Sequence, residues 1–124
     1  LGGALTEYRI PELVKMVESR EIDIPEFQRE FVWSSNQVRD LAESIYRGYP
    51  IGLLVFYEIP SELRSQNKHY WVLDGQQRLL SLVVIMKGQI KAIRGGQEAV
   101  VRFDIWFDPV NDKFELRRPG AGEN

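Results

Sequence analysis

Five consecutive residues, Asp74-Gly75-Gln76-Gln77-Arg78, hold the densest chemistry in the sequence. They lie between a β-rich apolar run and a longer apolar segment, where a strand would turn into a helix. Such a turn makes an anion site. The first N–H groups of a helix lack intrahelical partners, and the helix dipole adds partial positive charge there. Gly75 permits a tight turn and close approach of a ligand to the backbone. Helical side chains lean toward the N-terminus, so Arg78, one turn in, reaches the group those amides bind, and its planar fork suits phosphate. Gln76 or Gln77 can orient a water. Asp74 repels phosphate unless it caps the helix, shares a cation with the ligand or orients a nucleophile. A plainer alternative stays open at this point: Asp74 is an N-cap, Gly75 a turn residue, and both glutamines and Arg78 face solvent.

A second group runs Ile24-Pro25-Glu26-Phe27-Gln28-Arg29-Glu30-Phe31-Val32-Trp33-Ser34. Arg29 can make a bidentate phosphate contact, and Trp33 or Phe31 can stack on a base. The same residues also read as core aromatics, with Arg29 paired to Glu26 or Glu30. Gly52, in Tyr49-Pro50-Ile51-Gly52, reads as a turn into a strand that also allows a ligand near the backbone. His69 reads as surface or satisfied core, and Lys87, Lys91, Arg94 and Arg102 as a loose, solvated basic scatter.

The elements that must position these residues follow from periodicity. Ile10, Leu13, Val14 and Val17, with Pro11 in the first turn, predict a helix over about 10–20. Ile22-Asp23-Ile24 predicts a short strand stopped by Pro25. Ser34 and Gln37 have capping-box spacing, and Val38, Leu41, Ala42 and Ile45 continue a helix that Gly48 and Pro50 end. Leu53–Tyr57 predicts a buried strand and His69–Leu73 another. Gln76 to Lys87 is apolar nearly all round, which predicts a helix inside the fold. Gly95-Gly96 marks a turn, 101–107 alternates as a strand, and Asp108-Pro109 with Asn111-Asp112 predicts a hairpin into Lys113–Leu116. The expected fold is α+β: a mostly buried helix on a small mixed sheet made of 53–58, 69–73 and 101–107. One domain over 1–118 and a loose tail at 119–124 are expected, and Leu1 in place of Met suggests part of a longer protein.

Composition narrows the chemistry. The chain has no cysteine and one histidine, which excludes disulfides, thiol nucleophiles and His- or Cys-built metal sites within it, so no protein-built metal site is expected. Net charge is −2, with −5 over residues 1–62 and +3 over 63–124, so a polyanion-binding face is possible in the second half and not required. No apolar run approaches a membrane span, and a soluble cytoplasmic protein is expected.

The order of these motifs resembles the N-terminal domain of GmrSD-type restriction proteins, a large bacterial family. The likeness rests on Ile-Pro-x-Phe-Gln-Arg-x-Phe-Val-Trp at 24–33, Gly-Tyr-Pro-Ile-Gly at 48–52 and Trp-Val-Leu-Asp-Gly-Gln-Gln-Arg at 71–78, within a match from about Ile10 to Leu116. The resemblance implies a fold similar to ParB and sulfiredoxin, nucleotide binding, and in several phage-defence members hydrolysis of a nucleoside triphosphate. It assigns hydrolysis and phosphate binding to Asp74, Gln76, Gln77 and Arg78 and pocket lining to Gln28 and Arg29; the residues themselves add Gly75, Trp33 and Gly52 to the expected nucleotide site, with Mg²⁺ arriving on the nucleotide to offset Asp74. Whole members continue into a helical region and an HNH nuclease domain, and this chain shows neither, so contact with DNA is expected only through a full-length protein. The other reading is a ParB-like DNA- or partner-binding module without turnover. Arg29 is expected close to the N-terminus of the 76–87 helix.

Overall fold

A computed structural model describes residues 5–65 and 67–116, so the tail expected at 119–124 and the boundary at 118 lie outside the described residues. The elements in chain order are α1 (Ile10–Glu18), β1 (Ile22–Asp23), α2 (Ser35–Arg47), β2 (Val55–Glu58), β3 (Tyr70–Asp74), α3 (Gln76–Lys87), β4 (Gln89–Arg94), β5 (Gln97–Arg102), β6 (Ile105–Asp108) and β7 (Lys113–Leu116). No described helix is long and apolar enough to cross a membrane.

The helices form where their sequence signals stand. α1 carries Pro11 in its first turn and buries Leu13, Val14 and Val17. α2 opens on a complete capping box: Ser34 Oγ accepts from Gln37 N, and Gln37 Oε1 accepts from Ser34 N at 2.9 Å. It closes at Gly48, whose φ of +72° is a left-handed cap. In α3 every residue from Leu79 to Val84 is buried, as its nearly uniform apolar sequence requires. α3 packs against α1, α2 and β4, and the core gathers around it from Val14, Val17, Ile22, Phe31, Val38 and Ile90. Ser81 lies in this core fully buried, with no hydrogen-bond partner for its Oγ among the described residues.

β3 is the middle strand of a three-stranded sheet, parallel to β1 and antiparallel to β2. β1 is short for a covalent reason. Tyr70 N donates to Glu21 O at 3.0 Å, Ile22 faces Tyr70 and Asp23 faces Trp71. By the alternation of a parallel ladder, the next donor toward β3 is the nitrogen of residue 25, which would serve the Val72 carbonyl. Pro25 has no N–H, so the ladder stops and the edge of β3 beyond Trp71 stays open. The chain instead makes a 3₁₀ turn over Glu26–Gln28 and joins β4, with Phe31 N donating to Ile93 O at 2.8 Å and Ile93 N to Arg29 O at 2.7 Å.

Two expectations need correction. The strand after Gly52 is not buried: Leu53 is 69% exposed and Val55 42%, because β2 is an edge strand whose outward face nothing covers among the described residues. The segment 101–107 is not one strand of the central sheet. It splits at Phe103–Asp104, its first part pairing locally with β4 around Gly95–Gly96 and its second with β7, so the described residues form three separate small sheets. The turn between β6 and β7 forms as expected, with Asp108 Oδ1 accepting from Val110 N at 2.9 Å and Asn111 N at 3.2 Å.

Candidate functional site

β3 ends at Asp74 and α3 begins at Gln76, so Gly75 alone makes the corner, with φ +92°. A Cβ there would stand 2.5 Å from Leu54 Cδ2, so the corner suits glycine by conformation and by space. Gly75 itself is the N-cap and offers no side-chain bond to the helix. Asp74 is therefore not the cap, and that alternative is corrected: it is the last residue of the strand. Its carboxylate is exposed, with no hydrogen bond or ion pair among the described residues.

The three polar residues after Gly75 do not simply face solvent. Each fastens a distant stretch of backbone to the start of α3. Gln76 Nε2 donates to Gln28 O at 3.1 Å. Gln77 Oε1 accepts from Val32 N at 2.8 Å and Trp33 N at 3.3 Å, while its Nε2 donates to Glu30 O. Both ends of the Gln77 amide are thus engaged, and in this arrangement it braces the 30–33 segment instead of holding a water. Gln76 keeps its carbonyl oxygen free of a partner among the described residues. Arg78 Nη1 donates to Leu53 O at 2.8 Å, and its guanidinium lies flat on Gly52, where a Cβ would meet Nη2 at 3.1 Å and Cζ at 3.2 Å. Gly52 (φ +91°) makes room for the arginine, so its link to any ligand runs through Arg78.

Around this corner Trp33, Val72, Leu73, Asp74, Gly75, Gln76, Gln77 and Arg78 line a cleft of about 350 Å³. The first amides of α3, one free carboxylate and one guanidinium with donors to spare converge there, with Trp33 as an apolar wall. Phe31 belongs to the core and Phe27 is 74% exposed, so of the three aromatics only Trp33 borders the cleft. A second cleft of about 390 Å³ is lined by Asp23, Ile24, Pro25, Gln28, Trp71, Val72 and Gln76. The two share Val72 and Gln76 and are contiguous.

Gln28 lines the second cleft, but Arg29 lines neither. Its Nε donates to Ile24 O at 2.7 Å, inside the turn that Pro25 starts. Burial holds its guanidinium below the ordinary arginine value, with Glu26 pulling it back up. The described residues contain no group of three or more His, Cys, Asp or Glu able to hold a metal, which leaves Asp74 as a single carboxylate at the first cleft. Asp23 and Trp71 are site-lining residues that sequence reasoning read only as strand. The available signal was a carboxylate between Ile22 and Ile24, both of which are buried.

A protein of Methanocaldococcus jannaschii, uncharacterized protein MJ0686, is 32% identical to this chain over a stretch covering 57% of the chain and 15% of that protein. The chain therefore spans a small part of the length of the relative it matches. No solved structure matches it. The model of the GmrSD restriction endonuclease N-terminal domain matches residues 10–121, which takes in both clefts and every brace between them. With the Asp74–Arg78 corner built as described and that match running almost end to end, the chain belongs to the family of GmrSD restriction endonuclease N-terminal domains.

Proposed function

We propose that the cleft at the start of α3 binds the phosphates of a nucleoside triphosphate, and that the domain serves as the nucleotide-responsive head of a restriction or phage-defence protein. One observation carries this reading. The first residues of the helix and Arg78 line one cleft, and Arg78 is held in place there by Leu53 O and Gly52. Asp74 stands beside that anion site with no partner among the described residues. A Mg²⁺ carried in on the phosphates would offset the repulsion, because magnesium keeps several waters and needs only one or two carboxylates from a protein. The ion would supply charge neutralisation. Asp74 would hold it or orient the attacking water, and Gln76 has a free carbonyl oxygen beside the same cleft. Phosphoryl transfer asks mainly for such positioning and charge stabilisation.

The DNA- or partner-binding alternative has less support. Of the basic residues in the second half, Lys87 pairs with Glu18, Lys113 with Glu115, Arg102 bonds Gln89, and Arg94 lies over Phe31 and Phe103. Each of these four already has a partner within the chain.

Calorimetry with Mg²⁺ and each of GTP, ATP, CTP and UTP tests the reading. Arg78→Ala should weaken binding roughly ten- to hundredfold, the worth of a charge-assisted hydrogen bond. Asp74→Ala should leave stability within about 0.5 kcal/mol, since it caps nothing, and should lower turnover far more than affinity. If Arg78→Ala binds as the parent does, the phosphate site is not here. Binding to DNA with a steep salt dependence and no response to nucleotide would favour the alternative.

A further inference from the structure

The second cleft is built to read one edge of a planar ring. Asp23 projects from the outward face of the sheet in line with Trp71, its register partner on β3, and with Tyr57, the partner of Trp71 on β2. Tyr57 stacks on Trp71 with centroids 5.6 Å apart and planes 8° from parallel, so the cleft wall at Trp71 is backed by a second ring and held rigid. The Asp23 side chain is only 10% exposed. Its nearest cation is Lys68 Nζ at 3.7 Å, too long for a hydrogen bond, and its charge also reaches the Arg29 guanidinium. With no hydrogen bond reaching its oxygens among the described residues, the carboxylate is open to a donor entering the cleft. It borders an open cleft, and the carbonyl of Val72, which Pro25 deprives of its ladder donor, lies at the same edge. Val72 O, the free Gln76 oxygen and Asp23 are all acceptors.

We infer that this cleft is the base subsite of the nucleotide and that Asp23 selects a guanine-type edge, in which a ring N–H and an exocyclic amino group stand side by side. The inference rests on the phosphate site proposed above, with which the cleft is contiguous through Val72 and Gln76. An ionised carboxylate only accepts, and its two oxygens match guanine N1–H and N2–H₂ together. Adenine and cytosine present a bare ring nitrogen beside their amino group, which an acceptor-lined site repels. Hypoxanthine keeps the ring N–H and lacks the amino group.

Competition calorimetry on the full chain with Mg²⁺ and GTP, ITP, ATP and XTP, repeated on Asp23→Asn, decides the matter. The parent should prefer GTP to ITP and to ATP by about tenfold or more, the worth of one hydrogen bond to a charged group. In Asp23→Asn the amide still accepts from N1–H and now donates to the C2 carbonyl of xanthine, so preference should pass from GTP to XTP. That gain cannot come from a weakened fold. Equal binding of all four nucleotides by the parent overturns the base subsite and leaves the phosphate site standing. Equal weakening of every nucleotide by Asp23→Asn, with a lowered melting temperature, makes Asp23 a structural partner of Lys68 and also overturns the proposal. Binding of none overturns both.

Discussion

Two junctions hold distant parts of this chain together, and they are made of different materials. At the start of α3, Gln76, Gln77 and Arg78 reach backbone groups of 28–33 and Leu53, and every acceptor in the set except Gln77 Oε1 is a main-chain carbonyl. At the end of α2, charge meets charge. Asp112 accepts from Tyr46 Oη at 2.7 Å and Arg47 Nη1 at 3.2 Å, and Arg47 also reaches Glu43 Oε1 at 3.4 Å and the Asp112 carbonyl. That second junction pins the β6–β7 hairpin to α2, aided by the Tyr46, Phe107 and Phe114 rings. Both oxygens of its Asp112 carboxylate are engaged, while Glu43 Oε2 is buried without a hydrogen-bond partner among the described residues. The first junction is built without using its carboxylate, which is why Asp74 is left over for something else.

The largest test of this contrast is Gln77→Ala. Three hydrogen bonds vanish, and at about 1 kcal/mol each the loss is about 2–3 kcal/mol in urea unfolding, with faster amide exchange at Val32 and Trp33. A cost below about 0.5 kcal/mol would mean that the 30–33 segment is held by other contacts. Next comes Gly52→Ala, expected to cost about 1–2 kcal/mol for the positive φ and to displace Arg78, while Gly48→Ala, at a similar φ with nothing within 4 Å, serves as its control. Only the Gly52 variant should also weaken nucleotide binding.

The smallest effect is in pH. The Tyr46 hydroxyl, and then Arg47, hold the Asp112 carboxyl below its ordinary value of 3.8. Its contribution is complete above that value and fades as pH falls through the lower folded-state value, because protonation removes the charge that both donors seek. The gap in melting temperature between the parent and Asp112→Asn should therefore shrink below about pH 4. The Gln77→Ala gap should stay constant across the same range, since no member of that junction titrates there. The same bond raises the Tyr46 hydroxyl above its ordinary value, so alkali, in removing the phenolic proton, removes the bond as well.

The parts of this fold that were legible are those written in local signals. α2 shows its capping box and closing glycine in sequence, and α3 shows a length of apolar residues that only the interior accepts. The β4–β5 hairpin was half visible: the Gly95–Gly96 turn was plain, but the alternation running through 101–107 concealed the break at Phe103–Asp104. β2 read as buried because hydrophobicity does not tell an edge strand from a central one. At the site, the sequence located the corner and could not assign its side chains. Whether Gln77 faces a water or a backbone 45 residues away is settled by tertiary contacts alone.

The bonds made by Gln76 and Gln77 span 44 to 48 positions of chain, and closing so long a loop costs entropy before any contact offsets it. The capping box of α2 and the two hairpins need no such closure and can form early. The corner at Gly75 is therefore among the last parts to be assembled. A change at Gln77 should quicken unfolding while leaving the refolding rate nearly untouched, the mark of contacts absent from the transition state. A chain that is only partly folded, with its helices and hairpins already in place, would have no pocket to offer. Ligand occupancy in this domain reports completed folding as well as ligand concentration.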